Sequence, residues 1–297
     1  MREAALANKI PFAVRDLEWV IKSPFLLKDT PAPDLASDPE TAALLARVQD
    51  DPEPLLSHLV ATRRLNLGRY FEQLVIFWLD NLPSVRMIGS NIPIYREKRS
   101  LGEIDLAFLY ADQAWHWELS VKFYLNIGFP TEEADFVGPM QKDTLKRKLD
   151  RLYGHQLLLP THTETAAVLG LYGIGDVTSH PWVKGCLFYP VGNAHPEPPA
   201  RISENGLSGR WHSRESLEDT PLPEFDHFLI LEKKRWITPY FYPCETTAGK
   251  TPDLLAEIDT AFERRPMPYL VHLMRDEGPE TLTSLGQIFI TPGGWPD

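Results

Sequence analysis

Three charged residues, Asp105, Glu118 and Lys122, are spaced so that they could meet on one face of a β-sheet. Glu118 and Lys122 belong to the stretch AWHWELSVKFYL, residues 114–125, in which polar and apolar residues alternate. Successive side chains of a strand point to opposite faces, so this alternation predicts a strand with one apolar face. The apolar face would carry Trp115, Trp117, Leu119, Val121, Phe123 and Leu125, and the polar face His116, Glu118, Ser120, Lys122 and Tyr124.

Asp105 lies in the preceding segment, LGEIDLAFLY, which we predict to be the neighbouring strand. Two carboxylates placed side by side repel each other, and a hard divalent cation such as Mg²⁺ or Mn²⁺ relieves that repulsion. A nearby lysine can orient water and stabilise negative charge. Together these groups suit metal-assisted attack on a phosphodiester. The structural alternatives are a simple ion pair between Glu118 and Lys122 and a capping or pairing role for Asp105.

The motifs GEIDLAFL and WHWELSVKF resemble the catalytic hairpin of the PD-(D/E)XK, or restriction-endonuclease-like, nuclease superfamily. They are particularly similar to the GEIDL…EVK pattern of Holliday-junction-resolvase-like members. The resemblance implies a metal-ligand role for Asp105, the motif lysine at Lys122 and a helix glutamate at Glu72, within LGRYFEQL. Mg²⁺ (or Mn²⁺) would be held by Asp105, Glu118 and Glu72. The nuclease-like part spans about residues 67–190, and the whole chain resembles an uncharacterised bacterial domain-of-unknown-function family assigned to this superfamily.

One position departs from the superfamily pattern. The usual acid lies two residues before the lysine, where this chain has Ser120. Glu118 lies a further two residues back on the same face, roughly 6–7 Å along the strand. Two functions therefore stay open: a metal-dependent nuclease, and a catalytically impaired nuclease-fold protein that serves as a binding or scaffold module. A hydrolase of small phosphorylated substrates is a third alternative without a motif of its own.

A basic segment, GPMQKDTLKRKLDRLYGHQLLLP at residues 138–160, predicts a helix that follows the two strands. Its polar positions include Lys142, Lys146 and Arg147, which we expect to contact a phosphate backbone, with Gln141 as a further candidate. An ordinary solvated helix face is the alternative. The chain has a formal net charge of −11, so nucleic acid would have to bind at a local positive patch. DNA is preferred over RNA as the partner, and a second copy of the chain, in a homodimer, is a further candidate partner.

The predicted elements indicate an α/β fold, with a restriction-endonuclease-like mixed sheet flanked by helices. We expect an N-terminal helical segment at 1–66, a nuclease-like core at 67–192 and a C-terminal α+β extension at 193–297 packed on that core. Within the core, 67–82 predicts a helix, 91–100 and 101–110 predict strands separated by a turn at SLG, and 166–175 and 183–192 predict further strands.

Composition limits the class of protein. Of the 297 residues, 43% are hydrophobic, and no apolar run reaches the ~18 residues that span a bilayer. The first residues include acids and no continuous apolar run, so we expect no secretory signal, no membrane partner and a cytoplasmic location. Cys186 and Cys244 have no metal-ligand spacing. Aromatic residues near the C-terminal end are expected to pack in a core, with stacking on unpaired bases as the alternative; they are Trp211, Trp236, Tyr240, Phe241 and Tyr242.

Overall fold

A computed structural model describes residues 11–28, 32–61, 66–192, 197–238, 247–248, 251–277 and 282–296. In chain order the helices are α1 (Phe12–Lys22), α2 (Pro39–Asp50), α3 (Glu53–Ala61), α4 (Leu67–Asp80), α5 (Leu145–Gly154), α6 (Thr163–Gly170), α7 (Ser216–Asp219) and α8 (Thr251–Arg264). The strands are β1 (Val85–Arg96), β2 (Arg99–Tyr110), β3 (Gln113–Asn126), β4 (Phe136–Val137), β5 (Val177–Pro190), β6 (Leu207–Ser213), β7 (His227–Leu231), β8 (Thr247–Ala248), β9 (Tyr269–Asp276) and β10 (Leu282–Thr291). Tyr240, Phe241, Tyr242 and Cys244 lie outside the described residues.

The strands of the described residues form one mixed ten-stranded sheet in the order β1-β2-β3-β5-β6-β10-β9-β7-β8, with β4 paired to β3. The pairing from β3 through β5, β6 and β10 is parallel, and the remaining pairs are antiparallel. The predicted α/β fold is confirmed. Strands after residue 200 continue the same sheet, because β6 pairs with both β5 and β10.

Strand β3 is the centre of the site because it carries a different layer on each face. On one face Trp117 stacks on Trp182 with ring centroids 4.2 Å apart, and Trp78 of α4 packs against both. On the other face Tyr124 packs with Leu145 and Leu149 of α5. The alternation predicted for residues 114–125 therefore separates a helix-covered aromatic layer from the face that α5 overlies.

The termini of α4 and α5 are set by local sequence. Asn66 accepts a hydrogen bond from Arg69 N and begins α4, and Thr144 accepts one from Arg147 N and begins α5. The helix predicted within 138–160 begins at Leu145 and ends at Gly154, so residues 138–144 are not part of it. Gln141 lies in the turn before α5 with a φ of 56°, and a 3₁₀ helix, Gln156–Thr161, follows α5.

Two further predictions of local structure were wrong. Residues 166–175 were predicted as a strand, and most of this segment forms the end of α6 and a turn. Only Val168, Leu169 and Ile174 of this segment pack in a core cluster. The prediction failed because a short apolar run does not distinguish a helix from a strand. The segment SLG lies within β2, and the turn between β1 and β2 falls at residues 97–98, where Glu97 adopts a φ of 53°.

Trp236, which the sequence placed in a core, is buried, and Trp211 packs edge-to-face on Trp295 at 5.8 Å. None of the helices in the described part of the chain is long and apolar enough to cross a membrane.

Candidate active site

Asp105 ends the pairing between β2 and β3. The ladder runs from Tyr110–Gln113 to Leu106–Trp117 and stops there. At the next step, Oδ2 of Asp105 accepts a hydrogen bond from the backbone N of Leu119 at 2.9 Å. A side-chain carboxyl thus replaces a backbone acceptor, and the two strands separate on the side where Ser120 and Lys122 lie.

Glu118 lies on the same side of the sheet, and its carboxyl group is almost completely buried. Oε1 lies 3.0 Å from Nε2 of His116, and Oε2 accepts a hydrogen bond from the side-chain amide of Gln156. His116 in turn contacts the hydroxyl of Ser179 at 3.1 Å, and that hydroxyl donates to Leu157 O at 2.9 Å. Both oxygens of Glu118 are therefore held in place by polar neighbours.

These contacts fix the number of protons between His116 and Glu118. Because the Ser179 hydroxyl donates its hydrogen to Leu157 O, it must accept one from Nδ1 of His116. Burial lowers the pKa of His116 to about 4, so a neutral imidazole presents the lone pair of Nε2 to Glu118. The contact between Nε2 and Oε1 therefore needs a single hydrogen, and the low pKa of His116 favours its location on Glu118.

The two carboxyl groups affect each other. Burial and, to a smaller extent, the charge of Glu118 raise the pKa of Asp105 to about 7. Burial also raises the pKa of Glu118 to about 7, while the cation of Lys148 opposes that rise. A pair of carboxyl groups that is costly to ionise without a cation is typical of a functional site.

Two lysines approach these acids from different elements. Nζ of Lys122 lies 3.4 Å from Oδ2 of Asp143, which also accepts a hydrogen bond from Tyr124 at 2.9 Å. Lys148 of α5 donates to Oε1 of Gln156 at 3.2 Å. Burial and the charge of Lys122 lower the pKa of Lys148, so the two ammonium groups lie near one another.

A cleft with a volume of about 750 Å³ lies between β3, α4 and α5, and Asp105 and Lys122 are part of its lining. Its lining residues are Gly68, Glu72, Asp105, Leu119, Ser120, Val121, Lys122, Asp143, Arg147, Lys148, Asp150, Arg151 and Gln156. Glu118 does not line the cleft. It lies behind two lining residues, beside Asp105 and hydrogen-bonded to Gln156. Ser120 does line the cleft. It occupies the position at which the nuclease pattern that the sequence resembles has an acid.

Glu72 lies on α4 at the edge of the cleft. Its Oε2 forms an ion pair with Nη1 of Arg69 at 2.9 Å. Burial raises the pKa of Glu72, and the neighbouring charge of Asp105 adds to that rise. Glu72 therefore lies close enough to Asp105 for their charges to interact.

The basic residues predicted to bind nucleic acid are divided among different environments. Arg147 lines the cleft, and Lys142 lines an adjoining cavity. Lys146 points away and pairs with Asp150 at 2.5 Å. Gln141 is exposed and lines neither space.

Comparison with protein families assigns most of the chain. The family model described as "Domain of unknown function (DUF1853)" matches residues 15–290. The chain belongs to the DUF1853 family. Neither the comparison with curated proteins nor the comparison with solved structures gives a match.

Three residues of this DUF1853 chain contact the site in ways that sequence analysis missed. His116 was given no binding role, and Asp143 and Gln156 were not assigned to the site. Asp143 and Gln156 lie on either side of α5, and their contacts to β3 depend on how that helix packs. The alternation of β3 was the one available signal, because it put His116 on the face of Glu118.

Proposed function

We propose that this chain is a Mg²⁺-dependent nuclease that hydrolyses phosphodiester bonds, with DNA ahead of RNA as its substrate. The observation that carries the proposal is the meeting of Asp105 and Glu118, from adjacent strands, beside Lys122 and Lys148. The paired carboxyl groups, whose pKa values are raised, suit a divalent cation, and the neighbouring ammonium groups suit an anionic substrate bound with it.

The chemistry of the donor set fits Mg²⁺ or Mn²⁺. Asp105 and Glu118 would hold the ion, and Glu72 would lie at its edge, because all three offer the oxygen ligands that hard cations prefer. Within the described residues, no three or more His, Cys, Asp and Glu side chains are grouped to hold a metal. This is compatible with Mg²⁺, which is often bound by one or two carboxylates together with substrate phosphates. When bound, the ion would polarise the phosphate and lower the pKa of a water ligand.

The protein's own cations would stabilise the substrate. Lys122 is oriented by Asp143 and directs a positive charge into the cleft, where it can hold a water molecule and balance charge that develops on phosphorus. Arg147, Lys148 and Arg151 line the same cleft from α5 and offer donors to phosphate oxygens. In a chain of net charge −11, these residues place four cations in a cleft that four acids also line.

A second candidate function is a binding or scaffold module on the same fold without catalysis. It is favoured by Ser120 at the usual acid position and by the occupation of both Glu118 oxygens by His116 and Gln156. Ser120→Glu separates the two functions because it restores an acid in the lining of the cleft. A gain of metal-dependent cleavage in Ser120→Glu over an inactive wild type would favour the scaffold as the natural role.

The test of nuclease activity is cleavage of supercoiled plasmid and of labelled oligonucleotides with Mg²⁺ or Mn²⁺, with EDTA as the blank. We expect cleavage by the wild type and a loss of at least about 100-fold in Asp105→Asn, as for loss of one charge-stabilising group. Asp80→Asn, an exposed aspartate at the end of α4, is the matched control. No metal-dependent cleavage by the wild type would overturn the proposal.

A further inference from the structure

A second cavity, of about 610 Å³, adjoins the cleft and shares Val121, Lys122 and Asp143 with it. Its volume falls within the ~300–1,000 Å³ that is typical of small-ligand sites. Its remaining lining residues are Leu67, Phe123, Tyr124, Gly138, Pro139, Met140, Lys142, Leu231, Glu232, Lys233, Trp236, Arg265, Met267 and Tyr269. They come from the start of α4, from β3, from the turn before α5, and from the segments that follow β7 and precede β9.

Positive charge dominates this cavity. Lys122, Lys142, Lys233 and Arg265 line it, and each of the two acids in the lining is paired with a lysine. Asp143 pairs with Lys122, and Glu232 pairs with Lys234 at 2.8 Å. Burial lowers the pKa of Lys233, and the charges of Lys122, Arg265 and Lys142, which line the same cavity, lower it further. An anion in that space would relieve their repulsion.

The other walls of the second cavity are apolar and aromatic. Met140 and Met267 are half-buried at its surface, and Phe123 and Trp236 pack edge-to-face at 5.7 Å in its floor. Nζ of Lys233 lies 5.7 Å from the centre of the Trp236 ring. A ligand that fits these walls must combine a negative group with a flat or apolar part.

We propose that the second cavity binds an unpaired nucleotide next to the scissile phosphate, so that the preferred substrate contains a single-stranded segment. The inference rests on the proposed nuclease function, because the shared residue Lys122 connects the cavity to the catalytic carboxyls. Lys142, Lys233 and Arg265 would bind the phosphate, and the base would lie against Met140 and Met267. A paired base is stacked within its duplex and cannot enter such a space, whereas an unpaired base is available for stacking on protein side chains.

The test is the affinity of Asp105→Asn protein, in EDTA, for a labelled single-stranded dT12 and for a fully paired 12-base-pair duplex, followed by fluorescence anisotropy. We expect tighter binding of dT12. Adding Lys233→Ala and Arg265→Ala should weaken dT12 binding at least about tenfold, the scale of one stacked or paired nucleotide, and duplex binding much less. Arg264→Ala is the matched control: it is exposed beside Arg265, carries the same charge and lies outside the cavity lining.

A second arm separates base recognition from simple anion binding. Thymidine 5′-monophosphate and inorganic phosphate are titrated against the same proteins, with intrinsic tryptophan fluorescence as the readout. Tighter binding of the nucleotide, lost in Met267→Glu, supports the inference. Equal binding of phosphate, or equal competition by a polyglutamate peptide of matched charge, would overturn it.

The outcomes distinguish this inference from the nuclease proposal. If the wild type cleaves nucleic acid with Mg²⁺ but treats single strands and duplexes alike, with or without Lys233 and Arg265, only the cavity assignment fails. If Lys233-dependent binding of dT12 occurs and no metal-dependent cleavage is found, the assignment of the cavity's ligand survives and its link to catalysis fails with the nuclease proposal.

Discussion

Nε2 of His116 lies 3.0 Å from Oε1 of Glu118, and the two side chains are only 0% and 2% exposed. This contact, together with the Gln156 amide on Oε2, holds the Glu118 carboxyl in one orientation beside Asp105. Groups that fix the orientation of a carboxylate are what a metal site needs around its ligands. The buried histidine is thus a positioning residue, and its single shared proton makes the site sensitive to pH.

Asp105 should make the fold less stable as the pH rises from about 4 to about 7. Its pKa is raised to about 7 by burial, so over this range the folded state binds more protons than the unfolded state, and the free energy of unfolding falls with pH. Asp105→Asn removes this contribution. The free energy of unfolding of the variant, relative to that of the wild type, should therefore rise by about 2 kcal/mol from pH 5 to pH 8. Urea unfolding at several pH values measures the difference. Parallel pH curves for the two proteins would show that Asp105 ionises normally.

Mg²⁺ or Mn²⁺ should stabilise the wild type at pH 8 and have little effect at pH 5.5. The cation relieves repulsion between two ionised carboxylates, whereas at the lower pH protons occupy them. At about five times its dissociation constant, an ion adds about 1 kcal/mol, or about 2–4 °C in Tm. Differential scanning calorimetry with Asp105→Asn as the control checks this. An equal rise in Tm for both proteins would place the ion elsewhere.

Lys148 should set the acid side of the pH–rate profile. Its cation lowers the pKa of both Asp105 and Glu118. Lys148→Met should therefore move the acid limb of cleavage to higher pH by up to about one unit. The matched comparison is Lys146→Met on the same helix, since Lys146 lies outside the cleft lining. An unshifted limb in Lys148→Met would remove Lys148 from the electrostatics of the site.

Gly185 should be required for the position of Lys122. It pairs with Lys122 across β3 and β5, has a φ of 147°, and a Cβ there would lie 1.8 Å from the Lys122 carbonyl oxygen. Gly185→Ala should destabilise the protein by about 3–5 kcal/mol, because the backbones of both strands must shift. Gly175→Ala, where a Cβ meets nothing within 4 Å, is the control. Urea unfolding of both variants is the measurement, and a wild-type midpoint for Gly185→Ala would contradict this pairing.

The sequence predicted the parts of the site that depend on local periodicity. The two-residue alternation of β3 put Glu118 and Lys122 on one face, and the apolar residues of 67–82 predicted α4. Contacts between distant elements could not be read in this way. The amide of Gln156 reaches Glu118 only because the 3₁₀ helix after α5 packs on β2, where Gly102 leaves room for Leu159.

The strand order after residue 200 was equally hidden from the sequence. Several short apolar segments were visible there, and their pairing with β5 through β6 is a matter of tertiary contacts. The consequence for function is that Lys233, Arg265 and Met267 reach the second cavity beside Lys122, a neighbourhood that no local pattern indicated.

The most direct test of the central claim is the single-turnover rate of Mn²⁺-dependent oligonucleotide cleavage in the wild type, Asp105→Asn, Glu118→Gln and the double variant. Because the two carboxyls would hold one ion, each single substitution should remove nearly all of the activity, and the double variant should be hardly worse than either. Wild-type cleavage by Asp105→Asn, or independent losses that multiply in the double variant, would contradict a shared cation between Asp105 and Glu118.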